Sequence, residues 1–176
     1  DDLVTGVQTC ALPISGTLLG TTTLASGATL QAGNGAGGPI AASTLVFAGA
    51  ATLRLADIDL GSASILNAGA LTLNGAAGSV VIYASKSGAL ANGVYDLITY
   101  STLGGAGGFS ALTTSAGSIA GLSGRQSGTL NDTGTKITLT VAGDSVRWHG
   151  DVGGVADNVW HGASSGLQNF RLVPGG

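Results

Sequence analysis

Two histidines, His149 and His161, are the side chains of this chain best suited to metal or proton-transfer chemistry. Each follows a tryptophan in a repeated triplet, Trp148-His149-Gly150 and Trp160-His161-Gly162. With Asp144, Asp151 or Asp157 they supply the donor types of a metal site, but their separation within a glycine-rich stretch imposes no coordination geometry. The same segment offers an aromatic platform for a sugar, built from Trp148, Trp160 and Phe170; its plainer reading is that the tryptophans are large apolar anchors where a further module begins. A second candidate is the pair Asp57 and Asp59. On a continuous strand, alternation would turn both carboxylates to one solvent face, as a calcium site or an acid pair requires. Solvated aspartates at outward strand positions give the same pattern.

Other motifs specify less. Gly35 to Gly38 has no following lysine and no expected helix, so it is not a phosphate-binding loop. Gly37-Gly38-Pro39 lacks the aspartate of a calcium-binding nonapeptide repeat, and no Gly-x-Ser-x-Gly nucleophile elbow occurs. Asn131-Asp132-Thr133 fits a glycosylation sequon and equally a turn beside Gly134. The sequence therefore leads us to expect no catalytic, cofactor-binding or metal site.

The elements that would have to position such residues are strands. The chain has 32 glycines in 176 residues, no methionine, and acids that are all aspartate, so the long flexible side chains that favour helix interiors are scarce. No helix is expected. Six basic residues, a net charge of -3 and a pI near 4.9 give no electrostatic footprint for nucleic acid. The mean hydropathy of +0.43 comes from small aliphatic residues, and glycine, serine and threonine break every stretch short of a membrane span.

Residues 1–15 stand apart. Val4 to Ile14, VTGVQTCALPI, matches the translation of a common sequencing-library adapter, so the segment is read as adapter-derived and outside the fold. Cys10, the one cysteine, then belongs to the adapter, and disulfides and thiol chemistry leave the account.

From Gly16 onward the pair Thr-Leu recurs nine times, from Thr17-Leu18 to Thr138-Leu139, in short runs separated by glycine. One inward leucine and one outward threonine make a strand that cannot bury its apolar face alone, which points to stacked units sharing one core. Strands are expected at Ala28–Gln31, Ser43–Phe47, Ala51–Leu55, Ala70–Leu73, Ser79–Tyr83, Val94–Tyr100 and Lys136–Val141. Expected inside are Leu30, Leu45, Phe47, Leu53, Leu55, Leu73, Ile82, Ile137 and Leu139. Apolar parity switches between Leu53/Leu55 and Ile58/Leu60, which requires a corner near Ala56-Asp57. Gly88 to Gly128 has room to leave the stack as a loop or short hairpin.

The runs Gly16–Gly38, Ser43–Leu55 and Ala70–Ala84, followed by Gly93–Phe109 and Leu130–Gly150, resemble the autotransporter-associated β-strand repeat proteins of bacteria. The resemblance implies an all-β fold, a right-handed parallel β-helix or β-solenoid over residues 16–142, with an antiparallel hairpin region admitted at its end. Residues 143–176 would be a Gly/Trp-containing linker or the start of the next module. It also implies a long secreted or outer-membrane-associated surface protein, and it carries over no catalytic residue.

The function expected on these grounds is a non-catalytic stalk or display segment with adhesive loops. Its partners would be the adjoining repeats of the same polypeptide and a surface or carbohydrate ligand, with neither nucleic acid nor a membrane span. A polysaccharide lyase-like β-helix enzyme and a sugar-binding adhesin are the competing readings. The enzyme would need carboxylates and a basic residue from neighbouring rungs to converge in one groove. Deleting residues 1–15 is expected to change the free energy of urea unfolding by no more than about 0.5 kcal/mol, even though the first rung offers that tail unpaired backbone groups.

Overall fold

The computed structural model describes residues 13–14, 16–33, 39–59, 63–143, 145–148, 151–152, 155–156 and 170–173. The chain alternates between two sheets. Strands β1 (Pro13–Ile14), β3 (Thr29–Ala32), β5 (Ala51–Leu55), β7 (Val80–Ala84) and β9 (Leu112–Thr113) form one, in that spatial order and parallel throughout. Strands β2 (Gly16–Leu24), β4 (Ile40–Phe47), β6 (Leu66–Leu73) and β8 (Gly93–Gly104) form the parallel part of the other. One strand of each sheet makes a rung, and each rung lies directly on the previous one. Among the described residues the one helical element is a 3-10 turn, Gly108–Ala111, and no helix is long and apolar enough to cross a membrane.

The fold follows from the Thr-Leu alternation. Parallel strands buried between layers need apolar columns at fixed register. Here Leu30, Leu53 and Ile82 stack in one sheet, and Leu24, Phe47 and Leu73 in the other. All nine expected core residues are buried. Six of the nine leucines that follow threonine are buried as well; Leu18, Leu103 and Leu130 pack half-buried against the same core. The ladder does not stop at the corners. Ala48 N donates to Leu24 O at 2.9 Å, Asn74 N to Phe47 O at 3.0 Å, and Gly107 N to Leu73 O at 2.9 Å, so successive corners hydrogen-bond as the strands do. At the opposite corner Ala56, Ser85 and Ala120 donate in the same way to Ala32, Leu55 and Ala84.

A bend lies inside the strands of the second sheet. In β4 the buried positions are Ile40 and Ala42, then Leu45 and Phe47; in β6 they are Leu66 and Ala68, then Leu71 and Leu73. Parity therefore changes at Ser43 and at Gly69, which stack: a Cβ on Gly69 would lie 2.5 Å from Ser43 O. Glycine is required there by close approach of the backbones. The expected corner after β5 is also present. Leu53, Leu55 and Ile58 are all buried, and between them Asp57 takes a left-handed φ of 60°. Of the stretch Gly88–Gly128, β8 and β9 stay in the parallel stack, residues 114–125 run outside the named strands but for a bridge from Ile119 to Ala84, and Gln126 begins the β10 strand of a hairpin.

One expectation needs correction. Lys136–Val141 is not a further parallel rung: β10 (Gln126–Asp132) and β11 (Lys136–Gly143) form an antiparallel hairpin, and β11 also pairs antiparallel with β8. Only three residues join β10 to β11, and so short a link permits only an antiparallel return. Asp132 Oδ1 accepts from Gly134 N at 2.8 Å within this turn, where Gly134 has a φ of 88°. At the other end, Pro13 and Ile14 of the tail pair with Gln31 and Ala32, using the unpaired backbone groups that the first rung offers. Beyond the hairpin, β12 (Ser145–Trp148) pairs antiparallel with β15 (Phe170–Val173), and β13 (Asp151–Val152) with β14 (Val155–Ala156).

Phe47→Ala, which empties a fully buried position between Leu24 and Leu73, is expected to cost about 3–5 kcal/mol in urea unfolding. Asp57→Val is expected to cost about 1–2 kcal/mol and Asp57→Asn far less, because a β-branched residue is disfavoured at positive φ and asparagine is not.

Candidate functional site

Charged side chains are few, and half of those whose exposure is described gather at one edge of the first sheet. Outward positions of β3, β5 and β7 stack Gln31, Arg54 and Tyr83 in one register column. The Arg54 guanidinium carbon lies 4.8 Å from the centroid of the Tyr83 ring, a cation–π contact between adjoining rungs. Just past the ends of β5 and β7, Lys86 Nζ donates to Asp59 Oδ1, again linking one rung to the next. Asp57 is exposed at the same corner.

Asp57 and Asp59 thus do not stand on a continuous strand, as their alternation suggests. β5 ends at Leu55, and the corner that buries Ile58 carries both aspartates into the turn. What the sequence missed is the basic half of the cluster. Arg54 and Tyr83 are one rung apart, but the rungs differ in length, so only the strand register reveals the pairing.

The chemistry of this edge is that of a clamp. The hydrogen bond to Asp59 is the main influence that raises the Lys86 pKa above its ordinary value, burial opposing it. A lysine general base needs the reverse shift, toward neutrality. The Lys86 and Asp59 side chains are 30% and 55% exposed, so water reaches both charges. Carboxylates and bases from adjoining rungs therefore do meet here, on an open edge.

The hairpin end holds a second polar group of contacts. Tyr100 Oη donates to Asp132 Oδ1, and Lys136 Nζ to Asp96 Oδ2 at 2.5 Å, tying β8 to both hairpin strands. Burial first, and the Asp132 carboxylate second, push the Tyr100 phenol up to about 12. Gln126 Nε2 bridges Leu90 O and Asn92 Oδ1, each at 2.9 Å, while Asn92 Nδ2 donates to Gly143 O at 3.0 Å. Asn131 of the sequon donates to Thr140 Oγ1 at 2.9 Å, and Thr133 closes the turn through Lys136. Inside the stack, Ser64 Oγ donates to Asn67 Oδ1 at 2.8 Å and lies 2.6 Å from Thr99 Oγ1, which gives a buried hydroxyl its partners.

Of the candidates in the last segment, Asp144, His149, Asp157, Trp160 and His161 lie outside the described residues. Trp148 and Phe170 are register partners in the β12–β15 ladder, and Asp151 pairs with Ala156. Among the described residues no group of three His, Cys, Asp or Glu is placed to hold a metal ion. No known family model, curated protein or solved structure matches the chain. Fold and site together define an all-β protein of stacked parallel strands whose charged contacts link one rung to the next.

Tyr100→Phe is expected to cost about 1 kcal/mol, the usual net value of such a hydrogen bond. The fold favours the neutral phenol, so the stability it contributes is complete below pH 10 and falls as pH rises from 10 toward 12. Urea titrations at pH 8, 10 and 11.5 should show a steeper alkaline loss in wild type than in Tyr100→Phe.

Proposed function

We propose that this chain is a stretch of right-handed parallel β-helix from a large secreted or cell-surface bacterial protein of the autotransporter-associated repeat kind, serving as a non-catalytic stalk that displays its turns. The observation that carries the reading is the register itself. From β1 to β9 the strands alternate between two sheets, and each pairs in parallel with its counterpart one rung away, which is what a coil produces. A crossover between parallel strands of one sheet is almost always right-handed, which supplies the hand. Such a stack gains length by adding rungs, and its corners face solvent, where sequence is free to vary.

The lyase-like reading would place its chemistry at the Arg54, Asp59 and Lys86 edge, since these groups come from adjoining rungs. Against it stand the open surface and a lysine held as a cation by its own carboxylate. A sugar-binding reading draws on the Trp148–Phe170 register pair.

Display is tested by grafting. A ten-residue epitope inserted between Ser87 and Gly88, in the exposed turn after β7, is expected to bind its antibody and to lower the melting temperature by less than about 4 °C, because lengthening a surface loop costs little. Loss of cooperative melting would contradict a scaffold role. Uronate polysaccharides incubated with the purified chain are expected to show no unsaturated product, and product formation abolished by Lys86→Ala would establish the enzymatic alternative.

A further inference from the structure

Two asparagine-glycine pairs lie among the described residues, Asn74-Gly75 and Asn92-Gly93, and the fold treats them differently. Asn92 is half-buried and its amide is held at both ends: Oδ1 accepts from Gln126 Nε2 at 2.9 Å, and Nδ2 donates to Gly143 O at 3.0 Å. Gly93, which follows it, is a ladder residue of β8 opposite Val141. Asn74 is exposed, just past the end of β6, and among the described residues its side chain has no hydrogen-bond partner. Its backbone N donates to Phe47 O at 3.0 Å, so the main chain is fixed at the corner while the amide is left to turn.

That difference bears on a reaction that asparagine undergoes without an enzyme. The backbone nitrogen of the next residue bonds to the side-chain carbon Cγ, the bond from Cγ to the amide nitrogen breaks, and ammonia leaves with the proton that the backbone nitrogen gives up. Water then opens the cyclic imide at either carbonyl. One opening gives aspartate; the other gives isoaspartate, in which the main chain runs through Cβ and Cγ and is longer by a carbon. A following glycine has no side chain to obstruct the attack. For Asn92 the reaction requires both amide hydrogen bonds to break and Gly93 to leave its place in the ladder. For Asn74 rotation of the exposed side chain brings Cγ to the Gly75 nitrogen.

We propose that Asn74-Gly75 is a site of spontaneous deamidation in the folded chain, that the contacts of Gln126 and Gly143 protect Asn92-Gly93, and that the isoaspartyl product loosens the corner beside Phe47. Gly75 sits between the corners of adjoining rungs: a Cβ on it would lie 3.1 Å from Gly49 O, and a Cβ on Gly107 would lie 2.1 Å from Gly75 O. A further main-chain carbon between Asn74 and Gly75 must displace backbone on one side or the other. An aspartate at the same exposed position adds only a charge.

The test holds the full chain folded at mildly alkaline pH, where the backbone nitrogen gives up its proton more readily, beside a sample unfolded in guanidinium chloride. Peptides covering Asn74 and Asn92 are followed by mass spectrometry for the gain in mass as amide becomes acid. In the folded chain Asn74 is expected to convert at least tenfold faster than Asn92, and on unfolding the two rates should come within about twofold of each other, because glycine follows both and only the fold separates them. Asn92 converting as fast as Asn74 in the folded chain overturns the proposal, and so does an Asn74 that stays intact there while converting in guanidinium. A rate ratio that survives unfolding overturns it too, assigning the difference to neighbouring sequence. The isoaspartyl fraction, separated by chromatography, is expected to melt more than about 4 °C below the Asn74→Asp variant. Equal melting would show that the corner accepts the longer main chain and would overturn the loosening.

Discussion

The constraint on which this molecule depends is the single parallel register that every rung shares. Each inward residue has its counterpart above and below, as with Leu53 between Leu30 and Ile82, so the core is a set of columns rather than a centre. Since a one-residue slip would turn a whole strand's apolar set outward, the columns and the backbone ladder specify each other. The corner hydrogen bonds extend that register beyond the strand ends, which is why the turns need little bulk of their own. Glycine serves where backbones touch: a Cβ on Gly107 would lie 2.1 Å from Gly75 O.

With so few charges, the position of each carries weight. Arg54 on Tyr83, and Lys86 with Asp59, cross from one rung to the next, and Lys136 with Asp96 crosses from the hairpin to β8. Exposed pairs of this kind add little to stability, yet they favour one register over its neighbours because only one alignment brings opposite charges together.

Much of this was legible in the residues. Strict alternation in Lys136–Val141 identified its buried face, and the parity switch after Leu55 located the Asp57 corner. The first halves of β4 and β6 escaped notice because their apolar positions fall out of phase with the second halves, the phase change being the bend itself. β10 gave no signal because its single leucine, Leu130, is only half-buried. The direction of β11 was not in its alternation, which reads alike in parallel and antiparallel sheets; it lay in the three-residue link. Thr138 departs from its outward expectation for a related reason. β11 is an interior strand, and Asp96 and Asn131 flank Thr138 in register, leaving it 4% exposed. The pairing of Arg54 with Tyr83 was hidden because rung length varies along the chain.

The central claim is that from β1 to β9 strands adjacent in sequence lie in different sheets and strands one rung apart pair in parallel. Nuclear Overhauser contacts in an isotope-labelled sample test it most directly. The account predicts backbone contacts linking Thr52 to Val81, Val81 to Thr113, and Thr44 to Ala70. Contacts joining β4 to β5, or β6 to β7, as antiparallel hairpins would contradict it.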